Sequence, residues 1–294
     1  MKVFTTLSDW EYLPQGLALL RSMRASSTNF VIHYLCLDKS TYEVMKEEPN
    51  VCAKLLSELE KEDTLINEAY ATQPSPEAFI VGNRTGLEPA WIQHCWRLVS
   101  YWANYVMLKI DPPDLVHLDN DMFFFKPWEL IYKAVGEKSI GLSRNNSDND
   151  KTNGRYCVSC VYFKNDMPGN QCLFSWRNWM LNPQNEYAKE YGHCGDQKYL
   201  ELFEFLFGSE NIAILDDRGL KQSAPWVVGE IKNDLVLYHF SNFRANYEEE
   251  QYYIPAARHG LKNKTNLDKT LRMLYDVYYS VCKEELNRVS KTLK

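Results

Sequence analysis

A chain of 294 residues, 45% hydrophobic and 24% charged, is long enough to bury a substantial core as one large α/β domain or two smaller ones. Its net charge of -6 argues against the basic face of a nucleic-acid binder, so no nucleic-acid partner is expected. No stretch approaches the 18 or so uninterrupted apolar residues of a membrane span, and Met1–Tyr12 lacks the apolar core of a secretory signal.

The predicted elements alternate between strand and helix. Lys2–Leu7 reads as a short buried strand, and Leu13–Ala25 as an amphipathic helix with Leu17, Leu19, Leu20 and Met23 on its apolar face. Asn29–Asp38 is a second strand. A charged helix follows, with Ser40 as its expected N-cap. Ala90–Ile110 is the longest helical pattern and ends at "DPPD", where proline cannot continue the ladder. Leu115–Leu118 is then a strand. Ser139–Ser143, Tyr156–Phe163, Asn211–Leu215 and Leu235–Phe240 read as later strands, and Gln171–Leu181 and Asp196–Phe207 as helices. Leu267–Val289 closes the chain as a docking helix. Such alternation predicts an α/β fold with a largely parallel sheet. Ligands of such sheets bind outside the carboxyl ends of the strands.

The eight cysteines lack framework spacing and read as free thiols of a reducing, cytoplasmic location; the sequons at Asn83, Asn145 and Asn263 then read as chance matches. Cys157 and Cys160 form a C-x-x-C, but residues three apart on a strand point to opposite faces, which disfavours zinc.

The segment "LVHLDNDMFFFKPWEL", Leu115–Leu130, carries Asp119 and Asp121 at the end of an apolar strand. A D-x-D there has three readings. It caps the strand as a turn. It supplies a phosphoryl-transfer nucleophile in Asp119, although Phe123 stands where that pattern has Thr or Val. Or it holds a divalent cation against a nucleoside diphosphate, since hard cations prefer oxygen ligands.

The surrounding motifs favour the third reading. "HCWRLVSYWANYVML" leads into "LVHLDNDMFFF", followed by "YCVSCVYFKND", "CGDQKYLELF", "SAPWVVG" and "LVLYHF". In this order, over roughly Arg97 to Phe240, the chain resembles a bacterial and viral group of GT-A glycosyltransferases distantly similar to family 8. The resemblance implies a Rossmann-like GT-A fold with a mostly parallel central sheet flanked by helices, spanning 1–294 as one domain. Residues 1–125 would mainly bind nucleotide, 126–260 mainly the acceptor, and 261–294 would form a C-terminal helix. It implies transfer of a hexose or pentose from a nucleoside-diphosphate sugar to a glycan, lipid-linked or protein acceptor, with Mn²⁺ or Mg²⁺. Retaining and inverting outcomes stay open. The rivals are phosphoryl transfer through Asp119 and a non-catalytic nucleotide-sugar-binding module.

Residue by residue, the resemblance places the metal on Asp119, Asp121 and His239; taken alone, a His on an apolar strand is more often a bonded core residue. Asp196 becomes the candidate base and Gln197 the group that positions the sugar, whereas by themselves they read as a helix start. Thr5, Leu7, Ser8 and Asp9 should line the nucleotide pocket, with Asp9 otherwise a turn residue. Arg97 is a candidate phosphate or sugar contact, or else a surface or ion-paired Arg. Asn120 belongs with the donor-binding residues but faces away from its neighbours on an extended backbone. Val158 and Cys160 depart from the family 8 pattern. Pro225 and Trp226 form either an acceptor wall or buried structure. The tail with Lys283, Arg288, Lys291 and Lys294 offers peripheral membrane contact or a solvated helix face.

Overall fold

The structure is a computed structural model that describes residues 1–66, 89–146, 154–182, 184–191, 195–225, 234–254 and 269–292. Its strands in chain order are β1 (Lys2–Ser8), β2 (Phe30–Cys36), β3 (Val51–Leu55), β4 (Asp114–Leu118), β5 (Met122–Phe124), β6 (Ile140–Arg144), β7 (Tyr156–Lys164), β8 (Ile212–Ile214), β9 (Gln222–Ser223), β10 (Leu237–His239), β11 (Arg244–Asn246) and β12 (Gln251–Tyr253). The helices are α1 (Leu13–Arg24), α2 (Lys39–Met45), α3 (Leu56–Glu62), α4 (Pro89–Ile110), α5 (Leu130–Val135), α6 (Met167–Leu181), α7 (Ala188–Tyr191), α8 (Leu202–Phe207) and α9 (Lys269–Thr292).

Seven strands form the central sheet in the order β3-β2-β1-β4-β7-β6-β8. Only β7 runs against the rest, pairing antiparallel with β4 and β6, so the mostly parallel sheet expected from the sequence is present. The inner strands read as near-continuous apolar runs because both their faces are covered. One face packs Phe4, Val116 and Leu118 against α1, α2 and α5. The other packs Val3, Leu115 and Val161 against α3, α4, α6 and α8.

The late strand expected over Leu235–Phe240 does not join this sheet. Its core, β10, pairs antiparallel with β5 and parallel with β9 in a separate three-stranded sheet. A third cluster packs behind it, with Phe123, Tyr238 and Phe240 against Tyr275 and Tyr278 of α9. The rings of Phe240 and Tyr278 stack at 3.7 Å. Helix α9 is also tied to α1 and to the α2–β3 connection, through Arg21 to Glu284 (2.6 Å) and Arg288 to Glu48 (2.6 Å). Lys283 pairs with Glu250, so part of the basic tail is spent within the fold, while Lys294 lies outside the described residues.

Two local expectations change. Asp38, not Ser40, caps α2: its backbone is extended and its carboxylate accepts from Thr41 N at 2.8 Å, while Ser40 already lies inside the helix. Asp196–Phe207 is not one helix but a 3₁₀ turn (Lys198–Glu201) leading into α8, with Gln197 preceding it.

Gly16 of α1 faces the Tyr34 hydroxyl, and a Cβ there would sit 2.2 Å from that oxygen. Tyr34 is fully buried and its hydroxyl lies 2.6 Å from Ser8 Oγ, so it has nowhere to retreat. Alanine would gain up to about 1 kcal/mol of helix propensity, but overpacking a core costs about 1–3 kcal/mol. Gly16→Ala should therefore lower the urea midpoint. An equal or higher midpoint would show that Tyr34 moves freely.

Candidate functional site

The D-x-D segment leaves the carboxyl end of β4 and is held on three sides. Asp119 N donates to Ser159 O of β7 at 3.0 Å, extending the sheet ladder by one residue. Asn120 turns away, as its alternation on the strand predicts, and donates from Nδ2 to Tyr12 O at 3.0 Å. Phe240 N donates to Asp121 O at 2.9 Å, tying the segment to β10. These tethers bring the carboxylates of Asp119 and Asp121 together with the imidazole of His239, with one donor atom from each residue within 4.8 Å of the others. His239 Nε2 lies 3.0 Å from Asp121 Oδ1 and 3.5 Å from Asp119 Oδ2. Its Nδ1 faces the Cys157 thiol at 4.0 Å.

This donor set fits a divalent cation. Two carboxylates and an imidazole suit Mn²⁺, and the carboxylates alone suit Mg²⁺. Asp119 is the most open of the three, at 24% side-chain exposure against 10% for Asp121 and His239. Among the described residues no other group of His, Cys, Asp and Glu side chains converges in this way. Cys157 and Cys160 are free thiols, and His193 and Cys194 lie outside the described residues.

The electrostatics of the metal-free site follow from this crowding. Burial alone would raise the Asp119 carboxyl, but the imidazoles of His117 and His239 hold it below the usual carboxylate value. Burial works against a charge on His239, but Asp121 outweighs it and lifts the imidazole well above its ordinary value. The protonated ring thus stands where positive charge is wanted.

The other sequence-predicted residues surround this centre unequally. Gly195, at φ +64, lies flat on the Trp96 indole of α4; a Cβ there would come within 2.4 Å of the ring. Asp196 follows, its backbone oxygen accepting from Trp176 Nε1 at 3.1 Å. Its side chain is buried, and Oδ2 has no hydrogen-bond partner among the described residues. Burial, with the charge of Asp119 nearby, pushes its carboxyl well above the ordinary value. Gln197 is half-buried beside it. Arg97 is buried on α4 close enough to feel Tyr199, which removes the surface reading.

In the middle of β1, Thr5 is fully buried with its hydroxyl 3.3 Å from His117 Nδ1. Ser8 is bonded to Tyr34, and Asp9 caps the short turn Trp10–Tyr12 by accepting from Tyr12 N at 3.2 Å. Leu7 is partly buried. Pro225 is buried, and Trp226 lies outside the described residues.

Beside His239 opens a cleft lined by Arg144, Asn145, Asn146, Ser159 and Gln222. The residue behind it carries no signal in the sequence. Asp216 accepts from Arg144 N and Gln222 Nε2, both at 2.7 Å, and faces Asn146 Nδ2 at 3.4 Å, so one carboxylate ties together three parts of the wall. In sequence it looks only like a turn acid. His117 was missed too, although the two-residue period of a strand places it on the face of Asp119. Asn145 is buried with Nδ2 donating to Gly154 O, so it offers no exposed sequon; Asn83 and Asn263 lie outside the described residues.

No protein-family model matches the chain. Two proteins of Bacillus subtilis (strain 168) are similar to it. Uncharacterized protein YfnD is 24% identical over 267 residues, covering 84% of this chain and 79% of its own length. Uncharacterized protein YfnF is 23% identical over 256 residues, covering 79% of this chain and 78% of its own. Among solved structures, mouse xyloside xylosyltransferase 1 superimposes with a TM-score of 0.53 at 13% identity, over 82% of this chain and 98% of that one. Glycosyltransferase GlyE of Streptococcus pneumoniae TIGR4 superimposes with a TM-score of 0.50 at 11% identity, over 98% of this chain and 64% of that one. The α/β architecture, with its mixed, mostly parallel sheet, is the GT-A fold of these glycosyltransferase structures.

The raised carboxyl of Asp196 has a measurable consequence. The folded chain keeps this proton above the pH at which the unfolded chain releases it, so the residue costs stability as pH rises from about 4. Asp196→Asn should therefore melt at a higher temperature than the wild type at pH 7.5 without metal, with the difference closing at pH 4. A variant that melts lower at pH 7.5 would refute the buried, protonated carboxyl.

Proposed function

We propose that this chain is a metal-dependent glycosyltransferase that moves a sugar from a nucleoside-diphosphate sugar to a glycan, lipid-linked or protein acceptor. The observation that carries the reading is the Asp119–Asp121–His239 cluster, fixed at the carboxyl end of a parallel strand in a GT-A fold. That is where open α/β sheets bind their ligands.

In this reading Asp119, Asp121 and His239 hold Mn²⁺ or Mg²⁺, and the cation supplies positive charge to the departing diphosphate. The chain's own residues do the rest. The elements of 1–125 enclose the nucleotide, with Leu7, Ser8 and Asp9 at the end of β1 and Arg97 a contact for phosphate or sugar. The elements of 126–260 face the acceptor. Gln197 positions the sugar. In the metal-free chain burial and the charge of Asp119 favour the protonated form of Asp196. Its role as base belongs to the chain in which the charge of Asp119 is neutralised. No described helix is long and apolar enough to cross a membrane, so a lipid-linked acceptor would be met at a surface.

Two predictions test the reading. Asp121→Ala should abolish Mn²⁺ binding in calorimetry and lower metal-dependent turnover of nucleotide sugars by about a hundredfold or more, while far-UV circular dichroism stays unchanged. Undiminished turnover would contradict the assignment. Trapping a phosphoaspartate at Asp119 would move it to phosphoryl transfer, and tight donor binding without turnover to a binding module. A thermal-shift screen of nucleotide sugars with and without Mn²⁺ identifies the donor, because a ligand of the native state raises its melting temperature. The second prediction concerns pH. Because His239 must give up its raised proton to bind a metal, apparent Mn²⁺ affinity should strengthen as pH rises from 6 to 8. A flat profile would remove His239 from the ligand set.

A further inference from the structure

His117 lies two residues before Asp119, on the same face of β4. It is 1% exposed, and its register partner on β1 is Thr5, which is 0% exposed. The Thr5 hydroxyl sits 3.3 Å from His117 Nδ1. The other ring nitrogen, Nε2, has no hydrogen-bond partner among the described residues and points at Asp119 Oδ1, 3.5 Å away.

This arrangement is unusual for a purely structural histidine. A core imidazole is ordinarily bonded at both nitrogens, because a buried polar atom without a partner is costly. An apolar residue would fill the same space without that cost. If Thr5 donates its hydroxyl proton to Nδ1, the ring carries its own proton on Nε2, aimed at the carboxylate. The two oxygens of Asp119 then face different neighbours. Oδ1 faces His117, and Oδ2 faces the cluster, 3.5 Å from His239 Nε2.

We propose that His117, held by Thr5, is a positioning residue for the metal site: it engages one oxygen of Asp119 from behind and presents the other to a divalent cation. The inference rests on the metal-binding reading above and adds to it a relay of two buried residues. Outer partners of this kind set the orientation and basicity of a ligand, and losing them typically weakens metal binding tenfold to a hundredfold. The relay also gives Thr5 a task distinct from contact with the nucleotide.

Mn²⁺ alone is the probe, followed by electron paramagnetic resonance or calorimetry on the full chain, with the melting temperature of each metal-free variant measured alongside. His117→Leu fills most of the volume without an N–H and should weaken Mn²⁺ binding about tenfold or more. His117→Gln carries an amide N–H near the place of Nε2 and should restore most of the affinity. Thr5→Val keeps its shape, loses the hydroxyl and should fall between wild type and His117→Leu. Wild-type affinity in His117→Leu, or equal losses in the Leu and Gln variants that track their melting temperatures, would overturn the inference. Should His117→Leu not fold, Thr5→Val decides, and unchanged affinity there overturns it. A wild-type chain that binds no Mn²⁺ would instead sink the metal reading on which the inference stands.

Discussion

Two carboxylates are held where their mutual repulsion would drive them apart. Asp119 and Asp121 are kept in place by backbone hydrogen bonds at Asp119 N and Asp121 O and by the side chain of Asn120. Each tether goes to a different part of the fold: β7, the β1–α1 connection and the end of β10. The segment therefore cannot relax without disturbing the central sheet, the small sheet or the first helix. Like charges this close create a standing demand for positive charge, and in the metal-free chain the His239 imidazolium meets it.

The same crowding orders the second layer. Burial raises one acid, Asp196, while the imidazoles beside Asp119 lower another, so neighbouring carboxyls in one site hold opposite protonation states. Separations of this kind mark places where a protein assigns distinct acid and base tasks to chemically similar groups. The wall of the cleft shows a quieter version. Asp216 is half of an acidic dipeptide, but its carboxylate is spent on Arg144, Asn146 and Gln222, while its neighbour Asp217 pairs with the Arg144 guanidinium at 2.6 Å.

Much of the central sheet was legible because its strands obey simple rules. Strands buried on both faces are apolar runs, and β1, β2, β4, β6 and the antiparallel β7 all stand out that way. Of the Asp119–Asp121–His239 group, the acidic pair was legible in the D-x-D pattern, whereas His239 was reached only through the family resemblance. What escaped depended on partners distant in sequence. β3 is a half-exposed edge strand with no strong pattern. β5 is only three residues long, and the late strand that contains β10 was legible while its pairing with β5 in a separate sheet was not. Asp38 outcompeted Ser40 as a cap because the end of β2 already held its backbone extended. The register that sets the Thr5 hydroxyl against His117 escaped as well. That pairing is set by sheet order, which no local pattern encodes.

The aromatic stack behind His239 bears on how the chain comes into being. Phe240 lies flat against Tyr278, and Phe123 meets the edge of the same ring, so the small sheet leans on a helix that follows it in the chain. On a ribosome the acidic loop emerges well before that helix exists. Until α9 arrives, β5 and β10 lack the aromatic floor beneath them, and only strand pairing and the Phe240–Asp121 hydrogen bond hold the imidazole opposite the two acids. The floor under the cluster is therefore completed last, when α9 packs against the small sheet.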